Sequence, residues 1–203
     1  MASQTDIANL SLSILGKPSI ASLTDNSNAA RVLNIEYDLV RRALLEGPGT
    51  WRFSIRRASL PSLVQTPLSG PYKVMYALPS DCLRIILVGD TYPGLDLSDY
   101  RLGPTDADYT QEGRLILCDY GSPLSLQYVG DITDSTLFTP QFVVYFAAEL
   151  AYGCCERLTG SDAKQEAALK RRDRARLDAT ASNAFLNPPQ NTADDSWIVA
   201  RMQ

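Results

Sequence analysis

The chain is 203 residues long, 45% apolar and 21% charged, and its 19 Lys plus Arg against 23 Asp plus Glu leave a net charge of -4. That is material for one large domain or two small ones with an ample core. The mildly acidic balance gives no general reason to bind nucleic acid, leaving room only for a local basic patch. Histidine is absent, which removes Cys-His and Ser-His-Asp catalysis and the commonest metal ligand.

The chain opens helically. Ile7, Leu10 and Ile14 recur at helical spacing, and the stretch stops at Gly16-Lys17-Pro18, a glycine cap followed by proline. After the turn-like SIASLTDNSN, a second helix over AARVLNIEYDLVRRALLEG places Leu33, Tyr37, Val40 and Leu44 on one stripe, takes Asn26 or Asn28 as its cap and ends at Gly47-Pro48. No basic region precedes the first apolar residues, so no secretory signal is expected. No run of about 18 apolar residues offers a membrane span.

From Trp51 the period changes to two. In WRFSIRRASL, Trp51, Phe53 and Ile55 alternate with Arg52, Ser54 and Arg56, which predicts a strand with one buried and one wet face. Four short strands are expected in YKVMYAL, CLRIILVG, RLILCDY and LSLQYVG, separated by Pro, Gly and Asp, as in an antiparallel sheet or small barrel. Residues 90 to 112 are weakly patterned and read as loop. Between residues 90 and 135 nine acids face two bases; aspartate-rich turns account for such a run without any function.

The third zone is helical again. Thr139-Pro140 makes a cap and first-turn pair, and FVVYFAAELAYGCCERL is apolar almost all round until Gly160. A helix of that kind must be covered on every side, by the first two helices and by something else, a neighbouring subunit among the options. Ser161 then caps a polar, alanine-rich helix running to about residue 185 and broken by Pro188-Pro189. Lys170, Arg171, Arg172, Arg174 and Arg176 cluster in it, but at 100° per residue they do not form one stripe. Ion pairs to Glu166, Asp173 and Asp178 on a solvated helix are expected; contact with phosphate or an acidic partner is the alternative. The remaining stretch, LNPPQNTADDSWIVARMQ, follows a Pro, Asn and Asp linker with Trp197, Ile198 and Val199 beside Arg201. That apolar anchor either folds back on its own domain or docks on another protein by strand addition.

Candidates for chemistry are few. Asp81-Cys82 places an acid beside a thiol, but without a histidine to hold the sulfur deprotonated, Cys82 is expected to be a small apolar residue opening a strand. The four cysteines, at 82, 118, 154 and 155, form no CxxC pair and suit a reduced environment better than a disulfide framework or a zinc site. GxxxxGK[ST], GxGxxG and GxSxG are all missing, so no cofactor and no catalytic residues are assigned. Acid counts alone leave a two-carboxylate glycosidase open, although no pair stands out.

In this order and spacing, LSLSILGKPSIASLTDNSNAARVLNIEYDLVRRALLE, WRFSIRRASL, YALPSDCLRIILVGD and FTPQFVVYFAAELAYGCCERLTGS together carry a resemblance. The chain resembles the head-to-tail adaptors of tailed bacteriophages, specifically the tail tubular protein A (gatekeeper) family of short-tailed phages. The resemblance implies an α+β fold in which residues 1–50 and 137–187 form a helical bundle, residues 51–136 a central antiparallel β-rich insertion and residues 188–203 an extended C-terminal arm. It implies a structural virion protein of the neck, not an enzyme and not membrane-bound, assembled in the bacterial host cytoplasm as a ring of 12. Its partners would be the portal protein, the tail nozzle protein and copies of itself, with genomic DNA passing through without sequence-specific binding. On that basis Trp197, Ile198, Val199 and Arg201 would dock on the portal, Asp96, Asp99, Asp106 and Asp108 would face the channel, and Phe142, Tyr145, Phe146 and Leu150 would pack between subunits. A head-completion or tail-completion connector of a long-tailed phage shares the plan, and a DNA-binding module using the basic last helix is the remaining alternative.

Overall fold

The computed structural model describes residues 2–65, 67, 70–89 and 109–186. The architecture is α+β, with four helices and two small antiparallel sheets. Helix α1 (Gln4–Leu15) starts at a reciprocal cap, Ser3 with Asp6, and ends at Gly16, whose φ of 63° is the left-handed conformation a glycine adopts without strain. Lys164 Nζ donates to the Leu15 carbonyl at 2.9 Å, so a cation sits where the helix dipole leaves negative charge. Helix α2 (Asn28–Glu46) is capped by Ser27, whose side chain accepts from the Ala30 amide, not by Asn26 or Asn28. The Asn26 side chain is engaged by Arg31 instead.

Helices α3 (Pro140–Thr159) and α4 (Asp162–Phe185) complete the bundle, and α3 is its axis, touching α1, α2 and α4. The coverage that an apolar helix requires is thus supplied mostly within the chain, leaving Val144 39% exposed on the outer side of α3. Phe142, Phe146 and Leu150 are fully buried and Tyr145 is 8% exposed, inside a cluster that includes Ile7, Tyr37 and Trp51. The expectation that these four pack between subunits is therefore corrected: their surface is spent on the chain's own core.

The alternating stretch from Trp51 opens differently from expectation. Arg52–Ser54 form a single 3-10 turn, and strand β1 (Ile55–Leu60) begins only after it. The backbone groups a ladder would use are already engaged. Asn183 of α4 accepts from the Arg52 amide and donates to the Thr50 carbonyl, while the Trp51 carbonyl receives both the amide and the hydroxyl of Ser54. The rings of Trp51 and Phe53 both meet Phe142, with centroids 4.8 Å and 4.9 Å away.

The other strands are β2 (Val74–Ala77), β3 (Cys82–Val88), β4 (Tyr109–Glu112), β5 (Leu115–Cys118) and β6 (Leu124–Gly130). They form two three-stranded sheets, ordered β1-β6-β3 and β2-β5-β4. With β1, all five expected strands are present, and β4 is an addition. It is an edge strand with only Tyr109 partly buried, so it carries no alternation to read. Residues from both sheets, among them Tyr76, Ile85, Ile116 and Leu126, share one apolar cluster. In β6 the alternation of buried and exposed residues gives way to continuous burial at Tyr128-Val129-Gly130. Tyr128 belongs to the cluster between the sheets and Val129 to the helical core, so both faces of the strand are covered there.

Arg41 ties the two parts together. Its side chain is 4% exposed, and its guanidinium binds Asp131, the Ile132 carbonyl at 2.7 Å and Asp38 at 3.1 Å. A cation this deeply buried persists only when its donors are satisfied, and here the acceptors come from α2 and from the segment that follows β6.

Candidate functional site

Asp81 and Cys82 lie where the sequence suggests, at the start of β3, and the geometry assigns them to the fold. Cys82 is buried, and burial pushes its thiol pKa up, the opposite of what a nucleophile needs. Asp81 accepts from the Tyr128 hydroxyl of β6 at 3.0 Å and pairs with Arg56 of β1 at 3.6 Å, tying the entry to β3 across all three strands of the sheet. The other three cysteines are also buried and free, and burial raises Cys154 to about 12. Among the described residues, no group of three or more Cys, Asp or Glu is placed to hold a metal ion.

The two other sets of expected site residues, Asp96, Asp99, Asp106 and Asp108 and the arm residues Trp197, Ile198, Val199 and Arg201, lie outside the described residues. The basic cluster of α4 is described in full. Lys170 pairs with Glu166 at 2.7 Å and Arg174 with Asp178 at 3.1 Å, each one helical turn apart, while Arg172 binds its neighbour Asp173 at 2.7 Å. This is the solvated, ion-paired face expected from the sequence.

A second feature went unread in the sequence because its parts are far apart in the chain. Where α3 meets α4, Glu149 is half-buried, with Tyr145 one turn before it and Arg172 of α4 at 4.0 Å. Burial, the largest influence, raises the Glu149 carboxyl pKa, and Arg172 opposes it. Arg172 also lies over the Tyr152 ring, 4.6 Å from its centroid. Next to this group, a cavity of about 330 Å3 opens between the end of α2, α3 and α4. Leu44, Pro48, Trp51 and Tyr145 give it apolar walls, and Arg176 and Thr180 of α4 stand on its polar side. Trp51 is fixed there by its indole N–H, which donates to the Leu44 carbonyl at 2.9 Å. Among the described residues Arg176 makes no salt bridge, unlike Lys170, Arg172 and Arg174 of the same helix.

The described helices include none long and apolar enough to cross a membrane. No protein-family model matches the chain, and a search of curated proteins returns no significant match.

Proposed function

We propose that the chain is a structural head-to-tail adaptor of a tailed bacteriophage, a ring-forming subunit placed between portal and tail nozzle with DNA passing through the centre. The observation that carries this reading is the plan of the chain. The first two and last two helices close into one bundle around α3, and the antiparallel sheets are inserted between them. That plan agrees with the one implied by the sequence resemblance. The internal placement of Phe142, Tyr145, Phe146 and Leu150 gives the subunit a complete core of its own. Ring contacts then fall on the outer faces of the bundle and the sheets, as heterologous contacts that close on themselves. The acidic stretch from 90 to 135 approaches the channel, where it repels phosphates and keeps sliding DNA from adhering, and the arm from 188 to 203 docks on the portal.

The test is the mass of the purified chain, alone and mixed with its cognate portal ring, by native mass spectrometry or light scattering. A stoichiometric complex of ring on ring is expected, even from a monomeric starting chain. A chain that stays monomeric beside the portal overturns the reading. Deleting residues 190–203 is expected to abolish portal binding, and unchanged binding removes the arm from the contact.

A further inference from the structure

The chain contains two tryptophans. Trp51 lines the cavity beside α4, and Trp197 stands eleven residues beyond Leu186, the last described residue. We infer that this cavity is the docking site for the chain's own segment Asp194–Val199, with the Trp197 side chain inside it and the carboxylates of Asp194 and Asp195 at Arg176.

Four observations converge on that occupant. The volume, about 330 Å3, lies at the small end of ligand-sized cavities and suits one large aromatic side chain with an aliphatic neighbour. The walls offer Trp51 and Tyr145, whose rings already lie 6.2 Å apart in a tilted arrangement that a third ring extends. The charges match as well. Arg176 is the arginine of the cavity and makes no salt bridge among the described residues, while Asp194 and Asp195 immediately precede Ser196-Trp197. Finally, the connection is short. Thr180 on the cavity wall is six residues before Leu186, about 9 Å along a helix, and the Asn183 side chain holds that end of α4 against residues 50 and 52. The eleven residues to Trp197 span up to about 36 Å when extended, more than enough to return.

The tether also decides between the chain's own segment and that of a second copy. A short flexible connection gives an effective concentration on the order of millimolar. A contact of merely millimolar affinity is therefore about half-formed within one chain, while at micromolar protein the same contact between chains is almost empty. Docking of this kind belongs to the chain by itself, before any partner competes for the arm, so it stands or falls separately from the adaptor reading.

The experiment is fluorine NMR on the full chain labelled with 5-fluorotryptophan, with W197F assigning the two resonances. The Trp197 resonance is expected to be protected from a soluble paramagnetic agent, and to stay so on dilution. T180R and R176E, both at exposed positions of α4, are expected to remove that protection and shift the Trp197 resonance towards that of free tryptophan. Unchanged circular dichroism and an unchanged unfolding midpoint of the variants show that the fold is intact, and the Trp51 resonance is expected to move together with that of Trp197, because both rings share the cavity. A Trp197 resonance as open to the agent as free tryptophan in the unsubstituted chain overturns the inference. So does protection that survives T180R, which places Trp197 elsewhere, or protection lost on dilution, which assigns the contact to a second copy.

Discussion

Helices α3 and α4 pack side by side and are built on opposite principles. In the 20 residues of α3, the buried positions combine the large Phe142, Tyr145, Phe146 and Leu150, which fill the centre, with small residues such as Ala147, Ala148 and Ala151. In the 24 residues of α4 the buried positions are Ala168, Ala175 and Ala179, chosen for how closely a backbone can approach. The first helix fills the centre of the bundle, and its position follows from what it displaces from water. The second lies on the bundle by a narrow alanine stripe and keeps its long side chains for solvent and for one another. Substitution cost and functional freedom therefore run in opposite directions: α3 tolerates little and offers little outward beyond Tyr145 at the cavity and an exposed Val144, whereas α4 leaves Arg176, Thr180 and the ion-paired face available.

The comparison breaks most severely in the centre. F142A removes a fully buried ring that touches Trp51, Phe53, Phe138 and Phe146, and urea unfolding is expected to show a loss of about 3–5 kcal/mol. A loss below about 1 kcal/mol would mean that α3 is not the core. At the seam, A175L inserts three heavy atoms at a buried position of α4 that belongs to the helical core, and a loss of about 1–3 kcal/mol is expected from overpacking. On the outer face of α4, K170A and R174A each break one exposed pair. The expected cost is about 0.3–0.5 kcal/mol, fading as salt is added.

The smallest effect concerns pH. Burial holds the Glu149 carboxyl above its ordinary value, so the folded chain binds that proton more tightly than the unfolded one. Its contribution is favourable below the ordinary carboxylate pKa and declines as pH rises through the window between the ordinary and the raised value. E149Q is expected to flatten that decline in a series of unfolding curves taken from acid to neutral pH. An unchanged slope would mean that Arg172 and Tyr145 fully offset the burial.

What the sequence made legible follows from where the signal is local. The bounds of α4, the caps of α1 and α3 at Gly16 and Gly160, and the four short strands set apart by Pro, Gly and Asp are written in neighbouring residues. The cap of α2 was a local choice, taken by Ser27 between Asn26 and Asn28, but the other misreadings lie where tertiary pairing decides. The turn at Arg52–Ser54 depends on Asn183, more than a hundred positions away, and β4 pairs as an edge strand with no buried face to betray it. For α3 the composition demanded cover, which the chain supplies for its large apolar side chains other than Val144, but it does not say whose side chains supply the cover. Arg41 was within reach, since it stands one turn after Tyr37 on the buried stripe of α2, where a charge calls for a partner. The cavity was not, because Leu44, Tyr145 and Arg176 meet only in the folded bundle.

That the chain completes its own core, with α3 as an internal axis, is tested most directly by hydrogen exchange of the free, unassembled protein, read peptide by peptide. Amides of residues 142–151 are expected to exchange only through global unfolding, as slowly as any in the molecule. Rapid exchange there in the free chain, slowing only when a ring forms, would contradict it and return Phe142, Tyr145, Phe146 and Leu150 to a contact between subunits.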